Sequence, residues 1–358
     1  MIRNIQTLSL MLSQCIIEAF KNINIESCLK DIQVPQLKTY DLLQLLKMVK
    51  NVFQSEPTLL NLEGNFNVIG DLHGNLRDLL RILKFSQSNL NNSRFIFLGD
   101  LVDRGDFSVE ILILLFSLKL AYPTQIYLLR GNHEFIQVNA EYGFRSQVLS
   151  QYNEYIFQLF NDIFSYFPLA AVVNNSYFLV HGGIGPNVEN LSQIQSIPKP
   201  IISFQSNPII TALVWSDPCE NINWFGDNSR GKGYFFGIDA VRQFLEIIRS
   251  HECANGSKLQ LGSNVVTVFS TSYYIVNPIN SCGIVEITSP CNYVTHLLEP
   301  KLSIKKQDVT CVPFDINSNG DVIKRKIVLK SSKSHSEFKK ISCAVKLQKL
   351  KNVIVRKD

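Results

Sequence analysis

Four short apolar runs end abruptly in clusters of Asp, His, Asn and Gly, and this pattern constrains the fold more tightly than anything else in the chain. VIG (68–70) runs into DLHGN (71–75), IFLG (96–99) into DLVDRGD (100–106), YLLRG (127–131) into NHE (132–134), and YFLV (177–180) into HGG (181–183). Runs of that length with polar stops suit buried strands. Helical spacing lies between them, in LRDLLRILK (76–84) and SVEILILLFSLKL (108–120). Strand–helix–strand order predicts a largely parallel α/β sheet, and ligands of such sheets sit beyond the carboxyl ends of the strands. VVTVF (265–269), GIVEI (283–287) and YVTHLL (293–298) predict a second, more antiparallel element, and AAVVNNSYFLV (170–180) a hairpin about Asn174-Asn175.

Taken singly, each cluster is ordinary. A strand ending in Gly-Asp is a common turn, and a lone histidine after a strand is more often structural than a ligand. Yet four of the six histidines, His73, His133, His181 and His251, follow predicted strands. Asp, Asn and His together supply mixed oxygen and nitrogen donors without thiolate, a set suited to Mn, Fe or Zn rather than to a structural zinc. A carboxylate can bridge two ions, and two ions about 4 Å apart can clamp a phosphoryl oxygen and activate water. Arg104 and Arg130 stand beside the clusters as candidate phosphate partners.

GDLHGN, GDLVDRG, RGNHE and HGG, in that order and spacing, resemble the phosphoprotein phosphatase family of metal-dependent Ser/Thr phosphatases. LVWSDP (213–218), DNSRG (227–231), IIRSHE (247–252) and TVFS (267–270) extend the resemblance over roughly residues 40–300. It implies the α/β calcineurin-like metallophosphoesterase fold, two mixed β-sheets packed as a sandwich flanked by helices. It implies two divalent metal ions, Mn²⁺ in vitro with Fe or Zn in the cell. Asp71 and His73 would bind the first ion, Asp100 would bridge, and Asn132, His181 and His251 would complete the second. His133, oriented by Asp103, would be the general acid toward the leaving serine or threonine oxygen. Arg104 and Arg230, with Asn132, would hold the phosphate, and Tyr274 would line its pocket. A hydroxide held by both metals would then attack phosphorus directly. Gly131 is expected to act as a hinge and Glu134 to orient its neighbours. Phosphoprotein substrates and regulatory or targeting subunits are the partners implied. Two other readings stand beside this one: a catalytically weak scaffold or binding module, and a hydrolase of small phosphoesters or dinucleotide polyphosphates.

The chain departs from the family pattern in three places. DAVRQFLEIIRSHE (239–252) passes from helix to strand with no Gly, Pro or polar spacer. Either the helix ends a turn early or a short segment is missing, and His251 depends on which. FSTSYYI (269–275) replaces the usual FSAPNYC, with Ser272 for Pro, Tyr273 for Asn and Ile275 for Cys. Asn75 stands for the usual Gln, and Leu101 for a more usual aromatic.

Composition bounds the rest. At 358 residues with 46% apolar and 18% charged residues, the chain is globular. VEILILLFSLKLAY (109–122) is too short to span a bilayer, and the N-terminus suits an amphipathic helix better than a leader. Eight cysteines without a CxxC pair suit a reducing compartment, cytoplasmic or nuclear, and no membrane association is expected. Residues 301–358 hold 15 Lys+Arg against 5 Asp+Glu, whereas the first 300 residues hold 20 against 25. This asymmetry marks a boundary near Pro300, and with the helical start and the span of the resemblance it gives an expected N-terminal helical segment (1–40), catalytic domain (41–300) and basic extension (301–358). The Lys-rich segments at 324–330 and 333–351 read as a solvated tail, leaving nucleic acid an open but disfavoured partner. DINSNGDVIKRK (315–326) imitates a calcium loop but has Lys326 where Glu is required, so it reads as a turn.

Overall fold

The computed structural model describes residues 2–25, 32–86, 93–274, 280–316 and 322–323. Ile275, residues 317–321 of the calcium-loop mimic and the Lys-rich segments beyond 323 lie outside the described residues. The compact unit runs from Met1 to Ile323.

In chain order, helix α1 (Ile2–Lys21) leads to strand β1 (Gln33–Leu37), α2 (Thr39–Ser55), β2 (Leu59–Leu62), β3 (Phe66–Ile69) and α3 (Leu76–Phe85). Then come β4 (Phe95–Phe97), α4 (Ser108–Ala121), β5 (Ile126–Leu128), α5 (Ile136–Asn139), α6 (Phe144–Gln151) and α7 (Glu154–Phe164). The hairpin β6 (Ala170–Val173) and β7 (Tyr177–Val180) precedes α8 (Leu191–Gln195) and α9 (Pro208–Trp215). The second half adds β8 (Asp217–Pro218), β9 (Phe225–Asp227), β10 (Tyr234–Phe236), α10 (Ile238–Arg242) and β11 (Glu246–Arg249). β12 (Ser257–Gln260), β13 (Val265–Val268), β14 (Cys282–Ser289), β15 (Asn292–Leu298), β16 (Thr310–Ile316) and β17 (Val322–Ile323) complete it.

Two sheets carry the architecture. One has the order β15-β14-β3-β4-β5, with β3, β4 and β5 parallel and β14 and β15 antiparallel. The other, β12-β13-β11-β7-β6-β2, mixes both senses, so the parallel set anticipated from the sequence is one portion of a mixed sandwich. Successive strand residues point to opposite faces, and both faces are buried here. Phe95, Phe97, Ile126 and Leu128 pack outward against the helices, while Ile96, Leu98, Tyr127 and Leu129 face Leu179, Ile248 and Val266 of the other sheet. That double burial is why these strands read as unbroken apolar runs. Helix α4 is buried on nearly every side, consistent with its uniformly apolar sequence. The Asn174-Asn175 turn takes φ of 55° and 51°, and with Ser176 forms the three-residue connection between the paired Val173 and Tyr177.

The chain ends of the compact unit meet. β1 pairs in parallel with β16, and Leu12, Ile16, Ile17, Phe20 and Phe314 join the same core as α2 and α4. No helix among the described residues is long and apolar enough to cross a membrane.

Candidate metal centre and active site

The four polar clusters converge at one end of the sandwich, because β3, β4, β5 and β7 all deliver their carboxyl ends there. Asp71, His73, Asp100, Asn132, His181 and His251 are all buried. Asp100 lies at the middle: its Oδ2 is 3.4 Å from His181 Nε2, 3.6 Å from His73 Nε2 and 3.9 Å from His133 Nε2. On one side His73 Nε2 is also 3.5 Å from Asp71 Oδ2. On the other, His181 Nε2 lies 2.9 Å from Asn132 Oδ1 and 3.2 Å from His251 Nδ1.

The donor set fits two cations. His73 Nδ1 faces the carbonyl of Val102 at 3.0 Å and His181 Nδ1 that of Leu98 at 3.2 Å, so each ring carries its proton there. Their Nε2 lone pairs then converge on two carboxylates and an amide oxygen. Lone pairs packed this closely without protons between them repel, and a cation is the partner that relieves them. Burial, reinforced by the neighbouring His133, lowers the pKa of His73, and burial with His181 holds His251 well below the usual histidine range. Neutral imidazole is the form that ligates.

Other residues aim these ligands. Ser250 Oγ donates to Asp71 Oδ1, which also accepts from His251 N at 3.1 Å, so Oδ2 is the oxygen that faces His73. Glu134 Oε2 accepts from the backbone N–H of Asp100 at 2.8 Å and of Gly131 at 3.0 Å, and its Oε1 from Leu101 at 2.8 Å. Glu134 therefore orients its neighbours, and burial together with the Asp100 charge pushes its pKa up to about 7. Gly131 is not the hinge its sequence context suggested. Its φ of −88° and ψ of 178° are open to any residue. What it supplies is space, since a Cβ there would lie 2.3 Å from Asp100 Oδ1.

His133 belongs to a second constellation. Its Nδ1 lies 2.6 Å from Asp103 Oδ2, and the other oxygen of Asp103 accepts from Phe144 N at 2.8 Å. Burial opposes a charge on His133, yet Asp100 and Asp103 raise its pKa, and its Nε2 faces the centre. A protonated ring held by its far nitrogen is arranged to donate a proton. Tyr142 packs edge-on to this ring at 5.6 Å and carries the Arg104 guanidinium 4.5 Å above its own. Tyr274 stacks on His73 at 5.2 Å with the rings 10° apart.

Arg230 is held through Nε, 2.6 Å from Asp217 Oδ2, close enough to His251 for their charges to interact. Asp217 also takes Arg249 at 2.8 Å and Asn228 at 2.9 Å; burial opposes its ionisation, but Arg249, His251 and Arg230 together hold it well below the usual carboxylate range. Arg130 turns away from the centre. It is buried against the Phe135 ring and donates to the carbonyls of Glu134 and Ile201, so it is a structural residue and not a phosphate partner.

Two uncertain positions are settled. Helix α10 stops at Arg242, and Gln243, Phe244 and Leu245 form the connection to β11, which places His251 beside His181. Asn75 caps α3, accepting from Asp78 N at 3.2 Å, while Ser272 donates to Asp78 Oδ2 through both N (2.6 Å) and Oγ (2.7 Å). Trp215, whose ring stands edge-on to His251 at 5.5 Å, and Asp217 lie in LVWSDP, and Arg249 and Ser250 in IIRSHE, but those motifs gave no sign of their supporting roles; Tyr142 lies in none of the motifs.

The Calcineurin-like phosphoesterase family matches residues 64–254, more than half of the chain. A serine/threonine-protein phosphatase of Caenorhabditis elegans is 30% identical over 287 residues, 77% of this chain and 62% of that protein. The chain thus spans about three fifths of the length of the curated relative it matches. A solved protein serine/threonine phosphatase from Saccharomyces cerevisiae, described as similar to human phosphatase PP5, superimposes with a TM-score of 0.70 at 28% identity. That match covers 74% of this chain and 91% of the yeast one.

Proposed function

The chain belongs to the calcineurin-like phosphoesterase family, and on that premise we propose that it is a metal-dependent phosphatase of phosphoserine and phosphothreonine in proteins. The observation that carries the reading is the pairing of a centre of converging lone pairs with a proton donor, His133, aimed at it by Asp103. Asp71, His73 and Asp100 would hold one ion, and Asp100, Asn132, His181 and His251 the other. The mixed donors suit Mn, Fe or Zn. Bound ions supply Lewis acidity to a phosphoryl oxygen and a nucleophilic water at neutral pH.

The remaining roles belong to side chains. Arg104 and Arg230 hold the equatorial phosphate oxygens, with Tyr274 stacked on His73 as a wall and Asn132 facing the phosphate from the second ion's side. His133 Nε2 delivers its proton to the departing serine or threonine oxygen, and Asp103 keeps the ring in register throughout. Free cysteines at every described position favour a reducing compartment, cytoplasm or nucleus, and regulatory subunits would supply substrate choice.

Hydrolysis of p-nitrophenyl phosphate with manganese, with and without chelator, is the first test. His133→Ala should lower turnover roughly 10²–10⁴-fold, the usual contribution of a general acid, while metal content by elemental analysis stays at the wild-type level. Retained turnover in that variant would remove the assigned acid. Turnover of diadenosine polyphosphate in preference to a phosphoserine peptide would favour the small-phosphoester reading.

A further inference from the structure

A groove of about 550 Å³ opens from the centre, lined by His73, Arg104, Tyr273, Tyr274, Leu302 and Lys305 among others. That volume lies within the range of roughly 300–1,000 Å³ common to ligand sites. Its far wall is the segment 299–306, which follows the charge boundary near Pro300. We propose that this groove is a subsite for acidic residues flanking the phosphorylated residue of the substrate, with Lys305 as the charge that selects them. The proposal rests on the phosphatase reading above and names the substrate class for it.

The wall is fixed in place rather than draped. Arg81 donates to the carbonyl of Glu299 at 2.6 Å and Arg77 to that of Leu302 at 2.9 Å. Ser272 Oγ, whose proton goes to Asp78, accepts from the N–H of Lys301 at 3.2 Å. Ile304 is buried, and Lys306 reaches Glu110 at 2.9 Å while its N–H bonds Asp106 at 3.0 Å. Lys305 therefore stands between two anchored residues, with its own side chain half exposed.

The position where this chain carries Ser272 instead of the family's proline is one of these anchors. The hydroxyl oxygen accepts from the wall, while the hydroxyl proton and the N–H, which proline lacks, hold Asp78.

Charge decides the occupant. Beyond Arg104, which is assigned to the phosphate, the groove presents the cation Lys305 and no carboxylate among the described residues that line it. Asp106 is the nearest counter-charge, 3.7 Å from Lys305 Nζ. A long, exposed pair of that kind contributes little and exchanges readily for a better partner. The floor offers the apolar surface of Tyr273 and Leu302 to a peptide chain, and the mouth begins at the residues assigned to phosphate. An acidic side chain a few residues from the phosphoserine satisfies all three features.

The test compares two phosphoserine peptides that differ only in flanking Glu against Gln, through kcat/KM at low and raised salt. An exposed complementary pair should favour the Glu peptide about two- to fivefold, with the ratio shrinking as salt screens it. Lys305→Met should abolish the preference and Lys305→Glu invert it. Equal rates for the two peptides, or an unchanged preference in both variants, would overturn the subsite. Failure to turn over p-nitrophenyl phosphate would instead sink the phosphatase reading; binding of the same two peptides by fluorescence anisotropy, wild type against Lys305→Glu, then decides the subsite by the same criterion.

Discussion

Gly131→Ala tests how Asp100 is held. The added Cβ would meet Asp100 Oδ1 at 2.3 Å, Asp100 N at 2.5 Å and Glu134 Oε2 at 2.9 Å, whereas real Cβ atoms keep at least 3.0 Å. The carboxylate must retreat by about 0.7 Å, and since one of the clashing atoms is backbone, the whole residue must move with it. Asp100 Oδ1 accepts from His133 N at 2.9 Å, and Asp100 N donates to Glu134, so the shift reaches acid and ligand together. A misplacement approaching 1 Å costs about 10²-fold in rate, and overpacking costs about 1–3 kcal/mol in stability. Steady-state turnover of p-nitrophenyl phosphate should fall roughly 30- to 100-fold, on the scale of that misplacement, with metal content dropping in parallel. Gly226→Ala is the control, its nearest atom being Ile222 Cδ1 at 3.6 Å. Because φ and ψ at Gly131 already suit alanine, backbone strain cannot produce the loss. Wild-type turnover and metal content in Gly131→Ala would refute the steric account of this glycine.

Three further outcomes are expected. Asp217→Asn removes one of the two carboxylates that hold the buried Arg249, Glu252 being the other, and should lower stability by about 1–3 kcal/mol in urea unfolding, while releasing Arg230 and raising KM for a phosphopeptide; unaltered stability and KM together would contradict the bridging role. Ser272→Pro removes two donors from the buried Asp78 carboxylate and should cost about 3 kcal/mol; Ser272→Ala keeps the N–H and should cost about half, so equal losses would contradict the donor argument. Burial lowers the Lys199 pKa to about 8, so between pH 8 and 10.5 the folded chain has released a proton that the unfolded chain still holds, and stability rises with pH across that window. Lys199→Met should show a flatter rise in urea midpoint from pH 8 to 9.5, and identical slopes would rule out the shift.

Much of the centre was legible because a strand end in an α/β fold is a place where ligands bind, and four such ends carried donor residues. The parallel strands β3, β4 and β5 followed from the same runs, whereas GIVEI and YVTHLL, expected in a separate antiparallel element, join that sheet as β14 and β15. The strand order of the second sheet did not follow, because β11, a strand of four residues, pairs in parallel with β7, 69 positions earlier (Glu246 with Tyr177), and with β13, 18 positions later (Ile247 with Val265). Arg130 misled for a related reason. Sequence places it beside Gly131 and Asn132, but strand alternation sends its side chain to the opposite face, where it stacks on Phe135. The short junction before His251 seemed to threaten the second ion's site, yet a helix of five residues, Ile238–Arg242, leaves the connection its usual length.

Least legible was the backbone of the centre itself. His73, Asp100, Asp103, Arg104 and His251 all have positive φ, between 43° and 71°. Each costs about 1–2 kcal/mol relative to ordinary backbone, and the usual remedy, glycine, would delete the ligand. Instead each N–H is pinned: His73 by the Asp100 carbonyl, Asp100 by Glu134, Asp103 by Ser108, Arg104 by the Tyr142 carbonyl and His251 by Asp71. Side chains that tolerate the left-handed region are few, chiefly Asn, Asp and His, whose short polar groups bond locally. Arg104 is the exception, and it is the one whose ring partner, Tyr142, also supplies its backbone acceptor. A residue that must be both a ligand and left-handed is therefore drawn from Asp, Asn and His, and those are the residues that interrupt the four apolar runs.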